Sequence, residues 1–338
     1  MRKSVKIAFY IVGALALLIL GYFFAGWPTK STDTTYGITW SKTYADYLGI
    51  DPQAGLKAAV EDLGVKYFRI PVYWTEVEPK QGEFQFDWLK AQLDEIAAHG
   101  GKAILVVGAK QPRWPECWVP DWAKALPTDQ EQAAQLAYDK KVFDTFASHP
   151  AVLAWQVENE PEFLFGTCGR QSKEFTRKEI SSVKQWEQDT QTAGKRQPVY
   201  TTTSGEWSTW LEFAGATDGV GISTYRVVRL TSGMIFRYFF LPPWAYTRKA
   251  LIAAVWAGPI FVSEMQMEPW MTHGLTDPND PQIAETMDMN RMKSNLAFAS
   301  EMHMPSVYFW GAEWWYWMKV KGNHPEYWDT MKAFFAGN

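Results

Sequence analysis

Val152-Leu153-Ala154-Trp155-Gln156-Val157-Glu158-Asn159-Glu160-Pro161 is the stretch whose reading decides the fold. An apolar strand, Val152 to Val157, runs straight into a cluster of acids and an amide closed by a proline. Upstream, Lys102 to Gly108 reads as another strand, apolar throughout as a parallel strand covered on both faces should be. Working outward, the same alternation of strand and helix repeats. Tyr36 to Trp40 reads as the first strand, and Asp51-Pro52 supplies a cap and a first-turn proline for the helix that follows. Leu56, Ala59, Val60 and Leu63 form one face of that helix, stopped at Gly64. Lys66 to Trp74 is the second strand, with its helix over Phe86 to Ala97 ending at Gly100. After the third strand a helix spans about Glu131 to Ser148, and after the fourth another spans Lys173 to Thr192. Pro198 to Thr203 is the fifth strand with a short helix near Thr209 to Ala214, and Gly219 to Tyr225 the sixth with a helix over Thr247 to Trp256. Pro259 to Ser263 is the seventh, followed by a helix from Pro281 to Met302. Ser306 to Trp310 is the eighth, before a last helix over Tyr327 to Phe335. Eight strand–helix pairs in order predict an α/β chain folded as a single (β/α)8 TIM barrel over residues 36–338, rather than an open doubly wound sheet.

Composition narrows the function. The chain has 338 residues, with 33 Lys+Arg against 37 Asp+Glu, and this slight acidity argues against a nucleic-acid partner. No strand is followed by G-x-G-x-x-G, and no phosphate loop of the G-x-x-x-x-G-K-[ST] type occurs, so no nucleotide cofactor is expected. The five histidines are scattered without ligand spacing, so no metal is expected either. The 19 Trp residues raise the odds of surfaces that stack on flat ligands such as sugar rings.

Residues 1–27 read as a cytoplasmic stub and transmembrane signal-anchor. Arg2, Lys3 and Lys6 precede an uncharged run from Ile7 to Trp27, about the ~20 residues a bilayer-spanning helix needs. The basic residues place the N-terminus in the cytoplasm and the rest outside. The other reading is a cleaved signal peptide, and either one exports the domain. Residues 28–35 read as a polar linker.

In a barrel of this kind chemistry sits at the C-terminal ends of the strands. Strand two delivers Arg69 and Trp74 there, and strand four Glu158, Asn159 and Glu160. Strands five and six deliver Glu206 and Tyr225, strand seven Glu264, and strand eight Trp310 and Glu313. Glu160 and Glu264, on strands that face each other across the mouth, form the pair of interest. Two opposed carboxylates suit glycoside hydrolysis, one protonating the leaving oxygen and the other attacking the anomeric carbon. A separation of ~5–5.5 Å would mean a covalent intermediate and retention of configuration. For any single Glu, a structural salt bridge at the rim is the competing reading.

With these residues in place, the chain resembles the clan A glycoside hydrolases, the (β/α)8 group that includes cellulases, β-mannanases, xylosidases and β-galactosidases. The resemblance covers nearly everything after the anchor. Asn159-Glu160-Pro161 matches the clan's acid/base motif, which implies that Glu160 is proton donor and later base, with Asn159 on the sugar 2-hydroxyl. Phe261-Val262-Ser263-Glu264 matches the nucleophile strand and assigns that role to Glu264. Arg69 with Pro71 resembles the element whose arginine keeps the nucleophile ionised. Tyr225 matches the tyrosine that bonds the nucleophile, and Trp310 the tryptophan that floors the sugar site. Trp74-Thr75-Glu76-Val77-Glu78-Pro79 with Gly82, Phe84 and Phe86 resembles a signature shared by several families of the clan. Trp40 and Trp74 are counted with Asn159, Arg69, Tyr225 and Trp310 among the substrate-binding residues. The sequence departs from cellulase-type members in lacking a His after strand three and another after Tyr225, so the resemblance names no sugar. Glu158 and Glu162 flank the acid/base position, and Glu268 lies further out and reads as a substrate contact or a rim residue.

Cys117 and Cys168 lie in the neighbouring loops after strands three and four and are expected to form a disulfide outside the cytoplasm. Trp114, Trp118, Trp122, Trp207, Trp270, Trp314, Trp315 and Trp317 fall in expected rim loops and suggest an oligosaccharide cleft. The apolar insert Met234 to Trp244 either covers a barrel edge or rests on the membrane, with edge cover the preferred reading. The functional expectation is a membrane-anchored, exported, retaining β-glycosidase. The alternatives are a non-catalytic glycan-binding barrel at the cell surface and, with less support, a lyase or aldolase barrel, for which no strand interior offers a Schiff-base Lys or a metal cluster.

Overall fold

Asp51 starts the first barrel helix as its position predicts: its carboxylate accepts from the backbone N–H of Gln53 at 2.9 Å and of Ala54 at 3.2 Å, ahead of the helix Pro52–Glu61. Gly64 leaves that helix at φ 73°, a left-handed turn a side chain would strain. The computed structural model describes residues 2–26, 33–168, 171–190, 196–230 and 232–338. Eight of its strands are β1 (Thr35–Thr39), β2 (Tyr67–Pro71), β3 (Lys102–Val107), β4 (Val152–Val157), β5 (Val199–Ser204), β6 (Gly219–Thr224), β9 (Ile260–Gln266) and β10 (Ser306–Trp310). They close in the order β1-β10-β9-β6-β5-β4-β3-β2, every neighbouring pair parallel. Two shorter strands, β7 (Val227–Arg229) and β8 (Ile235–Arg237), form a separate antiparallel hairpin after β6.

The barrel interior is filled rather than open. Ile104, Ala154, Phe261 and Tyr308, from β3, β4, β9 and β10, form one buried cluster with Tyr67 and Tyr200. Residues of non-adjacent strands can meet in this way only across the barrel axis. Gly37 on β1 makes room for it, since a Cβ there would stand 2.9 Å from the Tyr308 ring and 2.4 Å from the Tyr67 carbonyl oxygen. The larger core lies between the strands and the surrounding helices.

Several local expectations change. β2 ends at Pro71, and Trp74 opens a four-residue helix, Trp74–Val77. β9 runs on to Gln266, so Glu264 sits within the strand and not beyond it. Thr209 to Ala214 is a run of turns rather than a helix. The expected helix from Pro281 to Met302 is two, Gln282–Thr286 and Met289–Glu301, because Asp288 breaks the run and caps the second by accepting from Arg291 N–H at 2.7 Å. The helix Lys173–Thr190 stops short of Thr192, which lies outside the described residues. A helix not expected from sequence, Ala312–Val320, follows β10 directly.

Near the N-terminus the helix Arg2–Phe24 contains Val5–Phe24, an unburied apolar segment of mean hydropathy 2.4, long enough to cross a membrane. Trp27 and residues 28–32 of the expected linker lie outside the described residues, and Thr35 already belongs to β1. Cys117 and Cys168 form the expected disulfide, with Cα atoms 4.9 Å apart across 51 residues of sequence. In the chain-entropy view that closure stabilises the domain by about 4 kcal/mol.

Candidate active site

The chain leaves β4 through a turn in which Glu158 and Glu160 both adopt left-handed backbone, at φ 58° and 46°. Such conformations are costly for residues with a Cβ and persist where the surroundings hold them. Here the turn divides the acids. Glu158 accepts from the backbone N–H of Ala109 at 3.0 Å and Lys110 at 2.6 Å, and from Gln135 Nε2 at 2.7 Å. The approach explains Gly108, whose Cβ would lie 2.7 Å from the Glu158 carboxyl carbon. Gln135 also bonds Glu179 at 2.8 Å, so Glu158 belongs to a buried polar cluster behind the loop after β3. Burial raises its carboxyl to about 7, against the pull of those N–H groups.

Glu160 has different company. Its Oε1 accepts from Ser223 Oγ on β6 at 2.5 Å, and its backbone N–H donates to Thr202 Oγ1 on β5 at 3.0 Å. Burial, and then the charge of Glu264, push its carboxyl up to about 7, opposed by the Ser223 bond, Lys110 and Arg69. Glu264 on β9 accepts from Arg69 Nη1 at 2.8 Å and from Tyr225 OH at 2.9 Å. Arg69 is wholly buried, and its fork also reaches Asn159 Oδ1 at 2.7 Å and Gln156 Oε1 at 2.8 Å. One arginine from β2 thus ties the ends of β4 and β9 together. Asn159 Oδ1 is further bonded to Thr202, whereas its Nδ2 is buried with no partner among the described residues, a donor free for an oxygen of a ligand.

The two carboxylates are therefore equipped unequally. One is held by a fixed cation and a phenol, and the other, among the described residues, by one hydroxyl in a setting that favours its proton. Lys110, fully buried, secures the loop after β4 by donating to the carbonyls of Glu160 at 2.9 Å and Phe163 at 2.5 Å. Glu206, at the end of β5, is also pushed up to about 7 by burial and accepts from Tyr246 OH at 2.7 Å.

A second charged cluster adjoins Trp310. The Arg113 guanidinium lies between the Tyr44 ring, at 3.7 Å, and the Trp310 ring, at 4.0 Å, and pairs with both Glu268 and Glu313. Trp310 Nε1 donates to Glu268 Oε1 at 2.7 Å. Glu268 is thus a buried partner of the Trp310 platform and not an outer rim contact, which corrects the expectation for it. Arg113, Glu313, Ser223 and Thr202 were not singled out from sequence as functional residues. Glu313 was visible only as one of several acids at a strand end, and the others carry no motif.

Arg69, Asn159, Glu160, Tyr225 and Glu264 share one bonded network, with Trp310 in the adjoining cluster. Trp40 and Trp74 do not join either, and the expectation that they touch substrate is corrected: both rings are wholly covered by protein. Trp74 Nε1 donates to Glu78 Oε2 at 2.8 Å and the ring stacks on Tyr138, so the tryptophan and glutamate of its signature hold each other. Of the expected rim tryptophans, Trp114 and Trp207 are well exposed, and Trp118, Trp122 and Trp270 are partly so. Trp314, Trp315 and Trp317 are buried, because the helix Ala312–Val320 turns them into the core. Among the described residues, the one acid and histidine trio whose donor atoms converge, Glu61, Glu95 and His99, lies near the N-terminal strand ends, at the other end of the barrel.

Comparisons with known proteins agree with the clan A resemblance. Residues 54–137 match the family model Glyco_hydro_42, described as beta-galactosidase. That segment includes Arg69 and the Trp74 signature, while Glu160 and Glu264 lie outside it. The beta-galactosidase Bga of Halorubrum lacusprofundi is 29% identical over 121 residues, 30% of this chain and 17% of that protein. BbgII of Bifidobacterium bifidum is 26% identical over 117 residues, 29% of this chain and again 17% of the relative. The matched stretch is thus under a fifth of either relative's length. Among solved structures, a GH5_18 enzyme from Streptomyces cattleya in complex with GlcNAc superposes with a TM-score of 0.58 at 12% identity, covering 83% of this chain and 71% of that one. A cold-adapted beta-galactosidase from Rahnella sp. R3 gives 0.54 at 13% identity, covering 84% and 51%. At these identities the superpositions speak for the barrel alone.

Proposed function

We propose that the chain is a retaining β-glycosidase acting on a β-linked oligo- or polysaccharide, with Glu264 as nucleophile and Glu160 as acid/base. The observation that carries this reading is the unequal support of the two acids. Arg69 and Tyr225 both donate to Glu264 and orient its carboxylate for attack on an anomeric carbon, and the proton retained by Glu160 to about 7 suits donation to a leaving oxygen. The free Nδ2 of Asn159 suits a sugar hydroxyl. Curated relatives named beta-galactosidases support a β-glycoside. The reading places the domain outside the cytoplasm behind a single-pass anchor, and the Cys117–Cys168 disulfide supports an oxidising compartment. Release after signal cleavage is the alternative for the anchor.

The test is turnover of aryl β-glycosides by the purified chain, with NMR of the first-formed anomer. Retention is expected. Glu264→Ala should abolish turnover, and azide should restore it with a product of inverted configuration. Glu160→Ala should spare activated aryl glycosides more than natural ones. Full activity in both variants overturns the assignment. The second reading is a barrel that holds glycan without cutting it. Glycan binding with no hydrolysis across a broad panel would select it.

A further inference from the structure

The connection from β6 to β9 carries a surface that the catalytic reading does not use. Its helix Pro243–Ala257 buries Tyr246, Ala250, Ala253 and Ala257 toward the barrel. The opposite stripe, Leu251, Ile252, Val255 and Trp256, follows Arg248 at the spacing of one helical face. Those four side chains are 64, 45, 72 and 59% exposed, and Phe239, just before the helix, is 85% exposed. Large apolar side chains gathered in this way mark a surface that meets something apolar.

Two observations say what that is. Arg248, at the head of the stripe, bonds the carbonyls of Tyr22 and Ala25 (the latter at 2.9 Å) and lies 5.4 Å from the Tyr22 ring. The last turn of the apolar N-terminal helix, whose unburied span is Val5–Phe24, is therefore docked on this same helix. Charge agrees: from Gly219 to Ser263 the sequence holds no acidic residue, but five basic ones, Arg226, Arg229, Arg237, Arg248 and Lys249. Arg229 is paired with Glu285, Lys249 donates to the Ser208 carbonyl, Arg226 lies over Phe298 and Arg248 is engaged as above, which leaves Arg237 as the exposed cation of the segment. An apolar stripe with an aromatic end, basic neighbours and no acids has the chemistry of a surface lying at the boundary of headgroups and acyl chains of an anionic membrane.

We infer that the exposed face of helix Pro243–Ala257, with Phe239, lies on the lipid surface beside the anchor, so that the barrel is held against the membrane rather than tethered at a distance. This rests on the anchor reading of the N-terminal helix. For Phe239 of the apolar insert it takes the membrane alternative over edge cover.

The test uses the full chain reconstituted in vesicles of phosphatidylcholine with phosphatidylglycerol. A nitroxide is attached at Val255→Cys or, as control, at Lys80→Cys, whose native side chain is 76% exposed in the loop after β2. Accessibility to oxygen relative to a water-soluble nickel chelate should be severalfold higher at 255 than at 80. Vesicle flotation runs in parallel. If the chain floats with vesicles and both labels are equally open to nickel, the inference is overturned and the anchor stands. If the chain does not float, the anchor reading fails and takes the inference with it. A label at 255 shielded from both reagents, with dipolar broadening that grows with protein density, would put a second copy of the chain on the stripe and also overturn the inference.

Discussion

Ser223 on β6 donates its hydroxyl to Oε1 of Glu160 at 2.5 Å, bridging 63 residues of sequence and supplying the carboxyl with its one side-chain hydrogen bond among the described residues. The bond favours the anion, and so opposes the burial that keeps Glu160 protonated. Ser223→Ala removes that opposition. The basic limb of the kcat/KM profile, set by loss of the Glu160 proton, should move up by about one pH unit, the equivalent of one ordinary hydrogen bond. A limb that stays put or moves down would separate Ser223 from the acid/base.

Arg69 makes three bonds with one planar group, to Gln156, Asn159 and Glu264. A lysine keeps the charge but cannot hold three partners in that fork. Arg69→Lys should lower kcat/KM by ~100-fold, about 2.7 kcal/mol of transition-state stabilisation, mostly through kcat. A change confined to KM would place the arginine in ground-state binding alone.

Stability should depend on pH through Glu160. The folded carboxyl holds its proton to about 7, against an ordinary 4.5, so folding takes up a proton between those values. Its contribution is fully present below 4.5 and is lost as the pH rises through about 7. Glu160→Gln, which carries no charge at any pH, should therefore gain stability relative to the native chain by about 3 kcal/mol at alkaline pH and little at pH 4. Denaturant titrations at both pH values check this, and an equal gain at both would refute it.

Trp74 offers a control of the opposite kind. Its ring is fully buried and its N–H satisfies Glu78, which also accepts from Gly82 N–H at 2.7 Å. Trp74→Phe leaves that buried carboxylate oxygen without its donor, at a cost of about 1–3 kcal/mol. Melting temperature should fall while KM stays unchanged, whereas a residue that touches sugar would show the reverse.

How far the site was legible varies residue by residue. Asn159 and Glu160 could be read because an apolar strand and its terminal turn are contiguous in sequence, and strand ends are where a barrel places its chemistry. Glu264 was readable for the same reason, although the strand holding it runs three residues further than expected. Trp40 and Trp74 misled because a tryptophan near a strand end looks alike whether its ring faces a cleft or a helix. Glu268 misled because its partner, Arg113, lies 155 residues away.

By itself the sequence determined the eight strands and their order, the apolar N-terminal helix, and which acids the strands carry to one rim. These follow from hydrophobic periodicity, caps and breaks, which act over a few residues. Only the tertiary structure decided that Glu158 turns into the wall while Glu160 turns toward Ser223, that Arg113 folds onto Trp310, and that the β6–β9 helix meets the end of the N-terminal helix. Each of these joins side chains across tens to hundreds of residues. Their pairing is fixed by the cost of burying a charge or donor unpaired, and that cost has no local signature.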